Sequence, residues 1–346
     1  MKRIAILTPY LIPAEMRSKT VNLGDGFILR GIERLLGPVD PQLLFSPRME
    51  PSERAQEAMG TSSAVVLGGA NQLNDNYRVW PGMTAEKLTR SPFVFVPMGV
   101  GIHGEPGKTR GMSAETRAIL EVIHERVEFS SWRCPRTIAY LQSHLPGLAD
   151  RFLMTGCPVA YDKPVLEGTA FNAGARVIAV TATERGDFWE RDAAVLEFVA
   201  KEFPRARKII VVHQNFKPPE FLERFRHRLT SPPPDEDPVI RFRRTARKLG
   251  YSIAFPARAD EAIRMYKSVD MHFGSRLHAH LHMLSQNKRS FLTAVDDRAR
   301  GMAEAFNFPL LDPNSLGQWT SVDFEASRLA IRGAFTVMER FARSLA

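Results

Sequence analysis

Short apolar runs alternate with helical segments along the whole chain, and this alternation is the feature that most constrains the fold. Ala64–Leu67 and Phe93–Val96 are continuous apolar runs of the kind found in the middle of a parallel sheet. The same pattern begins again at Val177–Val180, after the small, polar stretch 167–174. Alternating βα units predict an α/β protein with mostly parallel sheets.

The two series of βα units predict two Rossmann-like domains that face each other across a cleft, a GT-B-like arrangement. We place the N-terminal domain at residues 1–166 and the C-terminal domain at residues 175–320. Residues 321–346 contain a long amphipathic segment, Phe324–Leu345, which we expect to pack back across the domain junction. Ligands of such proteins usually bind between the domains.

One stretch of the C-terminal half indicates a binding site for phosphate. Met265–His272 is predicted to be a strand and Leu277–Leu284 a helix, joined by a turn at Gly274–Ser275. Such a turn directs backbone N–H groups and the positive helix end at one point, which suits an anion. Arg276 adds a bidentate donor, and His278 can exchange a proton near neutral pH. The alternative interpretation is a helix cap with a surface ion pair.

Three histidines at alternate positions in this helix invite comparison with a metal site. His278 and His282 share one helix face, whereas His280 points away from it. The helix lacks the Glu of the H-E-x-x-H zinc motif, and a third ligand would have to come from elsewhere. We therefore predict no metal site.

Glycines follow the apolar runs of the N-terminal half. Gly68 and Gly69 follow the run at 64–67, and Gly99 and Gly101 follow the run at 93–96. Glycine after a buried strand allows the backbone to approach a ligand closely. These positions are therefore candidates for ligand contact.

The segment 22–36 has the apolar spacing of a helix that ends at Gly37. Asn22 or Asp25 could cap this helix. The functional alternative is that Asp25 projects into a ligand cleft, because open α/β sheets bind ligands at this position.

The composition favours an acidic partner. Lys and Arg number 47 against 38 Asp and Glu, a net charge of +9, which suits a phosphorylated small molecule or an anionic lipid surface. We predict no nucleic-acid partner, because the arginines are dispersed and form no recognised nucleic-acid-binding pattern.

The 2 cysteines fit a reducing cytoplasm. No uncharged apolar stretch approaches the roughly 18 residues of a membrane span, so we predict a cytoplasmic protein.

Several short motifs, taken in order, resemble those of the polysaccharide pyruvyl transferase family over roughly residues 1–312. In the N-terminal half these are Asn22–Asp25, Gly68–Gly69 with Asp75, Gly99–Gly101, Arg133 with Thr137, and Thr155–Pro158. In the C-terminal half they are Arg276–Ala279 and Asp296–Arg298. The sequence departs from the family's pattern at Ala70, Cys134–Pro135 and Asn287–Arg289.

The resemblance implies a transferase that moves the pyruvyl group of phosphoenolpyruvate onto a sugar as a ketal and releases phosphate. The acceptor would be a sugar of an exopolysaccharide or a lipid-linked saccharide, and no cofactor is implied beyond the donor. The N-terminal domain would hold the acceptor and the C-terminal domain the donor. His278 would be the acid and Asp25 the base. The implied substrate-binding residues are Arg133, Arg276, Asn22, Gly24, Gly68, Gly69, Gly101, Ser275 and Arg298.

Two other functions stay open. A GT-B glycosyltransferase that uses a nucleotide-sugar donor would need a base-stacking pocket and a ribose-binding carboxylate, neither of which we identify in the sequence. A non-catalytic relative that binds a phosphate ligand would need only the anion-binding residues. Peripheral contact with the anionic inner membrane surface is a further expectation from the positive charge. The sequence makes no prediction of oligomeric state.

Overall fold

The computed structural model describes most of the chain and has an α/β architecture with parallel sheets. The predicted loop at 231–238 and the first residues of the basic segment at 241–248 lie outside the described part. The described residues are 3–13, 16, 22–103, 111–168, 170–183, 188–213 and 244–345.

The first sheet is built from the N-terminal half of the chain. Four strands have the order β2-β1-β3-β4, with every neighbouring pair parallel. Strands β5 and β6 form a second parallel pair, which joins the first sheet through a bridge between Val100 and Trp132. The strands are β1 (Ile4–Leu7), β2 (Leu44–Phe45), β3 (Ala64–Gly68), β4 (Phe95–Met98), β5 (Ser130–Trp132) and β6 (Phe152–Met154).

The second sheet is built from the C-terminal half. Its order is β11-β10-β7-β8-β9, and all neighbouring strands are parallel. Because β8 and β10 lie on opposite sides of β7, a topological switch point lies between β7 and β10. The strands are β7 (Val177–Thr181), β8 (Arg207–Val211), β9 (Ser252–Ala254), β10 (Met271–Gly274) and β11 (Arg289–Leu292).

Helices connect the strands and cover the sheets, as expected for parallel strands, which need crossover connections. One further short helical segment, at residues 244–248, follows the part of the chain that the structure does not describe. The longer helices are α1 (Leu23–Leu36), α2 (Glu53–Gly60), α3 (Ala85–Arg90), α4 (Ala114–Arg126), α5 (Pro135–His144), α6 (Lys163–Glu167), α7 (Trp189–Glu202), α8 (Ala259–Lys267), α9 (Leu277–Ser285), α10 (Asp297–Phe306) and α11 (Phe324–Leu345).

Helix α1 joins the two halves of the molecule. Phe27 of α1 packs edge-on against His282 of α9, with ring centroids 5.3 Å apart. Arg30 of α1 donates two hydrogen bonds of 2.7 and 2.6 Å to the carboxylate of Asp260 in α8. One hydrophobic core therefore runs through both halves and includes residues of α1, α8 and α9.

The last helix, α11, packs against elements of both halves. Its Phe335 ring lies 5.4 Å from the ring of Tyr161, and Arg332 Nε donates to the carbonyl oxygen of Val165 at 3.0 Å. It also contacts α10 of the C-terminal half. Helix α11 thus contributes to the packing between the halves.

Two predicted strands are misplaced. The strand predicted at Met265–His272 is wrong at its start, because residues 265–267 end helix α8 and β10 begins only at Met271. Ala259, Ala262 and Tyr266 are buried on one side of α8, and this helical spacing prevails over the apolar character of 265 and 266. The strand predicted at Phe93–Val96 begins two residues later.

Candidate functional site

A cavity of about 240 Å³ lies at the carboxyl edge of the second sheet. Ser275 and Arg276, which follow β10, line it together with residues of the loops after β7 and β11. Because β7 and β10 border the switch point, the cavity lies where open parallel sheets usually bind ligands. Asn22 and Gly24, at the start of α1, also line it, so both halves of the chain contribute.

Helices α1, α9 and α10 all begin at this cavity. Asn22 caps α1 by accepting from the N–H of Gly24 at 3.0 Å, and Asp296 caps α10 by accepting from the N–H of Arg298 at 3.0 Å. No side chain in the described part of the chain caps α9. The first N–H groups of α9 and its positive end are therefore available to an anion.

Backbone hydrogen bonds fix the turn that precedes α9. Gly274 has a φ of 133°, and a Cβ there would overlap the carbonyl oxygen of Thr181. The N–H of Ser275 donates to the same carbonyl oxygen at 3.1 Å, and the N–H of Thr293 donates to the carbonyl of Gly274 at 3.0 Å. The buried Ser275 hydroxyl has no hydrogen-bond partner among the described residues, so it can bond to a ligand in the cavity.

Two arginine side chains give the cavity a positive charge. Arg276 Nε donates to the carbonyl oxygen of Ala182 at 3.1 Å, and Arg298 Nε donates to the Asp296 carboxylate at 2.7 Å. Burial, and then the charge of Arg298, lower the pKa of Arg276 to about 9, so its guanidinium stays charged at neutral pH. The single carboxylate of Asp296 offsets only part of this charge, and the cavity favours anions.

The side chain of His278 lines the same cavity and is 9% exposed. It lies against Gly24, where a Cβ would overlap the imidazole Nδ1. Burial, and then the charges of Arg133 and Arg298, hold the pKa of His278 well below its ordinary value. The imidazole is therefore neutral at pH 7 when no anion offsets these charges.

Arg133, at the end of β5, is buried to 1% exposure and does not line the cavity itself. Its Nη2 donates to Asn71 Oδ1 at 2.5 Å, and its guanidinium lies on Gly101, where a Cβ would overlap it. Its Nε and Nη1 have no hydrogen-bond partner within the described part of the chain. Its charge lowers the pKa of both His278 and Asp25.

Asp25 lies in the first turn of α1 and is 8% exposed. The capping role belongs to Asn22, so Asp25 is not the cap of this helix. Burial raises the pKa of Asp25 to about 6, although the charges of Arg48, Arg298 and Arg133 act against this rise. Asp25 is not among the residues that line the cavity, but a carboxyl group with a pKa near neutral pH is suited to proton transfer.

The glycines of the first sheet do not line this cavity. Gly69 has a φ of 62°, and a Cβ there would overlap Ile28 of α1. Gly68 is in similarly close contact with side chains of β1 and α1, so both glycines serve helix–strand packing. Gly68 and Gly69 are thus not among the residues that line this cavity, and their contact with a ligand stays a prediction. Gly101 acts indirectly, as the surface on which the Arg133 guanidinium rests.

The other histidines of α9 belong to the core. His280 Nδ1 lies 2.9 Å from Ser290 Oγ, and the His282 ring packs against the rings of Phe27 and Tyr266. In the described ranges no group of three or more His, Cys, Asp or Glu residues could hold a metal ion.

Sequence reasoning did not identify three residues that shape the site. His213, which follows β8, lines the cavity, and its Nε2 lies 2.8 Å from the Tyr266 hydroxyl. Asn71 accepts the hydrogen bond from Arg133, and Asp192 of α7 accepts from the N–H of Thr183 at 2.7 Å. The position of His213 after a predicted strand could have indicated that it lies near the ligand site. The contacts of Asn71 and Asp192 could not be predicted in this way, because they depend on tertiary structure.

Comparisons with known proteins show the fold. The chain matches no protein-family model and no curated protein. The UDP-GlcNAc 2-epimerase of Methanocaldococcus jannaschii has a similar structure, with a TM-score of 0.53 and 11% identity over 99% of this chain and 100% of that chain. The UDP-GlcNAc 2-epimerase of Rickettsia bellii gives a TM-score of 0.49 and 11% identity over 99% and 96% of the two chains. The GT-B fold predicted from the sequence is confirmed.

Hydropathy of the helices bears on membrane insertion. Among the described residues, no helix is both long enough and apolar enough to cross a bilayer.

Proposed function

We propose that the protein is a transferase that binds phosphoenolpyruvate in this cavity and moves its pyruvyl group onto a sugar as a ketal. One observation carries the proposal: Ser275, Arg276 and His278 meet at the uncapped start of α9, opposite Arg298. A phosphate monoester carries about two negative charges at pH 7 and three strong acceptor oxygens. The helix N–H groups, the Ser275 hydroxyl and the two guanidinium groups are donors that suit it.

The carboxylate of the donor requires a second cationic group, for which we propose Arg133, whose charge acts on His278 although its side chain does not line the cavity. Its guanidinium is buried, and a buried charge with unpaired N–H groups favours an anionic ligand. The size of the cavity supports a compact donor as well. Its volume of about 240 Å³ is below the roughly 300–1,000 Å³ of pockets that enclose drug-sized ligands.

In the proposed reaction the methylene carbon of phosphoenolpyruvate gains a proton, and a sugar hydroxyl oxygen forms a bond to the adjacent carbon, C2. The bond between C2 and the phosphate ester oxygen then breaks, and a second hydroxyl oxygen bonds to C2 to complete the ketal. Of the two hydroxyl protons released, one replaces the proton given to the methylene carbon and the other leaves with inorganic phosphate. The reaction needs no oxidant or reductant.

His278 is the proposed acid, and it must first gain a proton. Burial and the charges of Arg133 and Arg298 hold its pKa low in the empty cavity. The negative charges of bound phosphoenolpyruvate would offset these arginines and raise the pKa of His278. Binding of the donor would therefore favour the protonated form of His278, which is the form that acts as the acid.

Asp25 is the proposed base for the sugar hydroxyl. With a pKa of about 6, the carboxyl is mostly ionised at pH 7 and more basic than an ordinary aspartate. A base whose pKa lies near the working pH is the most effective in proton transfer.

A nucleotide-sugar donor is the second candidate, because a helix N-terminus also binds a pyrophosphate. Ligand binding without turnover would instead indicate a non-catalytic phosphate-binding relative.

Ligand-induced thermal stabilisation separates these candidates, because a ligand that binds only the folded state raises its melting temperature. We expect phosphoenolpyruvate to stabilise the wild type but not Arg276→Ala. The matched control is Arg90→Ala, since the side chain of Arg90 is 78% exposed and pairs with Glu86 in α3. Stabilisation by UDP or a UDP-sugar alone would favour glycosyl transfer, and equal stabilisation of Arg276→Ala by phosphoenolpyruvate would contradict the proposed site.

A further inference from the structure

A polar network lies beneath the turn that leads into α9. Its members are Thr181, His272 and Ser290, from three neighbouring strands, and His280 from α9. Thr181 Oγ1 lies 2.8 Å from His272 Nε2, and Ser290 Oγ lies 2.7 Å from His272 Nδ1 and 2.9 Å from His280 Nδ1. All four side chains are at most 2% exposed, so water does not compete for these hydrogen bonds.

The network ends at the backbone of the turn. The N–H of Arg276 donates to Thr181 Oγ1 at 3.3 Å. While its oxygen accepts this hydrogen bond, the Thr181 hydroxyl can itself donate to His272 Nε2. The proton of the neutral His272 ring is then on Nδ1 and is donated to Ser290 Oγ. The Ser290 hydroxyl then donates to His280 Nδ1. Each hydroxyl in this arrangement donates once and accepts once, and the hydrogen bonds connect the Arg276 N–H to His280 through Thr181, His272 and Ser290.

These polar side chains occupy a place where apolar residues would pack. Ala179 and Leu292, on the same face of β7 and β11, are fully buried in the core. Burial, and then the nearby His280 and His213, lower the pKa of His272 well below its ordinary value, so the rings stay neutral. Apolar residues of similar volume often stabilise a core as well as or better than a buried polar group. The network therefore calls for a role other than stability.

We infer that Thr181, His272 and Ser290 are positioning residues for the anion site. They hold the N–H of Arg276 towards the sheet, which sets the direction of the first turn of α9 and the places of Ser275 and Arg276. This inference rests on the proposed binding of an anion at that turn. Thr181 is the member that touches the turn, and the two other residues act through it.

The test compares two substitutions of Thr181 with inorganic phosphate and phosphoenolpyruvate as titrants. Thr181→Val keeps the shape but removes the hydroxyl, and Thr181→Ser keeps the hydroxyl. We expect Thr181→Val to lose about tenfold in affinity for both anions, because a misplaced or unpaired N–H disturbs the site, and Thr181→Ser to bind within about twofold of the wild type. Thr116→Val removes another buried hydroxyl, in α4, and is expected to change stability but leave anion affinity unaltered.

A spectroscopic measurement extends the test to the rest of the network. In proton NMR the His272 Nδ1–H should give a downfield resonance that is lost in Ser290→Ala, and this variant should also bind phosphate more weakly. Equal phosphate affinity of Thr181→Val and wild type would overturn the inference, even if stability falls. Failure of the wild type to bind either anion would instead overturn the proposed function, so the two failures are distinguishable.

Discussion

A glycine with a positive φ stands at the end of a buried strand in each sheet, Gly69 after β3 and Gly274 as the last residue of β10. The turns at these two glycines have different roles. After β3, the space that a Cβ of Gly69 would occupy is filled by Ile28, so the turn is closed by packing. After β10, Gly274 is packed against the backbone of Thr181, but the next two residues open into the cavity with polar groups. A glycine at a strand end therefore indicates close packing in one sheet and the turn of the proposed binding site in the other.

The two halves also differ in their buried histidines. His124 is a buried neutral histidine of the N-terminal half, whereas the described part of the C-terminal half contains five, namely His213, His272, His278, His280 and His282. Burial lowers the pKa of each of these, to about 4 for His213 and about 3 for His280 and His282, and well below the ordinary value for His272 and His278. Protonation should therefore disrupt chiefly the C-terminal half, which contains most of the proposed binding site.

The largest expected effect is loss of stability in acid. Below about pH 6.5 the unfolded chain binds protons at these histidines while the folded chain does not, so the free energy of unfolding falls as the pH falls. With several such groups the slope is on the order of 5 kcal/mol per pH unit between about pH 6 and 5. Urea unfolding at pH 7.5, 6.5 and 5.5 measures it.

The control for the acid prediction is His282→Phe, which removes one titrating ring that packs between Phe27 and Tyr266. We expect this variant to flatten the slope by about 1.4 kcal/mol per pH unit. Stability that is unchanged from pH 7.5 to 5.5 in the wild type would contradict the burial of neutral histidines in the C-terminal half.

Substitution of Gly69 is the second largest expected effect and sharpens the contrast between the turns. Gly69→Ala places a Cβ at a φ of 62° and against Ile28, and we expect it to lower the free energy of unfolding by about 2–4 kcal/mol. Phosphate affinity should not change. Gly60→Ala, at the end of α2, is the control, because a Cβ there would make only an ordinary contact of 3.9 Å with the Phe93 ring. Weaker phosphate binding by folded Gly69→Ala would show that the turn after β3 also serves the ligand.

The ionised form of Asp25, which is the form proposed to act as a base, should lower the stability of the folded protein. Between about pH 4 and 6 the folded chain retains a proton on Asp25 that the unfolded chain has lost, so stability from this group falls as the pH rises through that window. We expect Asp25→Asn to raise the free energy of unfolding by about 2–3 kcal/mol at pH 7.5, and by less below pH 6, while turnover falls. A variant that is less stable than the wild type at pH 7.5 would contradict this account of the carboxyl group.

Ser275→Ala should produce the smallest of these effects. In contrast to Gly69→Ala, it should weaken phosphate binding without lowering stability. The Ser275 hydroxyl has no hydrogen-bond partner in the described part of the protein, so its removal should leave thermal stability unchanged or slightly higher. Phosphate affinity should fall by roughly 0.5–1.5 kcal/mol, the net value of one hydrogen bond. Isothermal titration with phosphate and a melting curve together test this, and unchanged affinity would exclude the hydroxyl from the site.

Local patterns in the sequence predicted much of the site. The helix at 277–285, its arginine and its first histidine follow from residues within one turn of each other, and the structure places Arg276 and His278 in one cavity. The role of Gly69 could not be predicted, because it depends on Ile28 from another element. The same reason applies to Asn71, whose contact with Arg133 joins residues 62 positions apart.

Calorimetric titration of the protein with phosphoenolpyruvate, in two buffers of different ionisation enthalpy at pH 7, tests the central claim most directly. The difference in heat counts the protons exchanged on binding. If the anion offsets the arginines around His278, the wild type takes up a substantial fraction of a proton, and His278→Gln takes up none. Binding without proton uptake by the wild type, or no binding at all, would contradict the account.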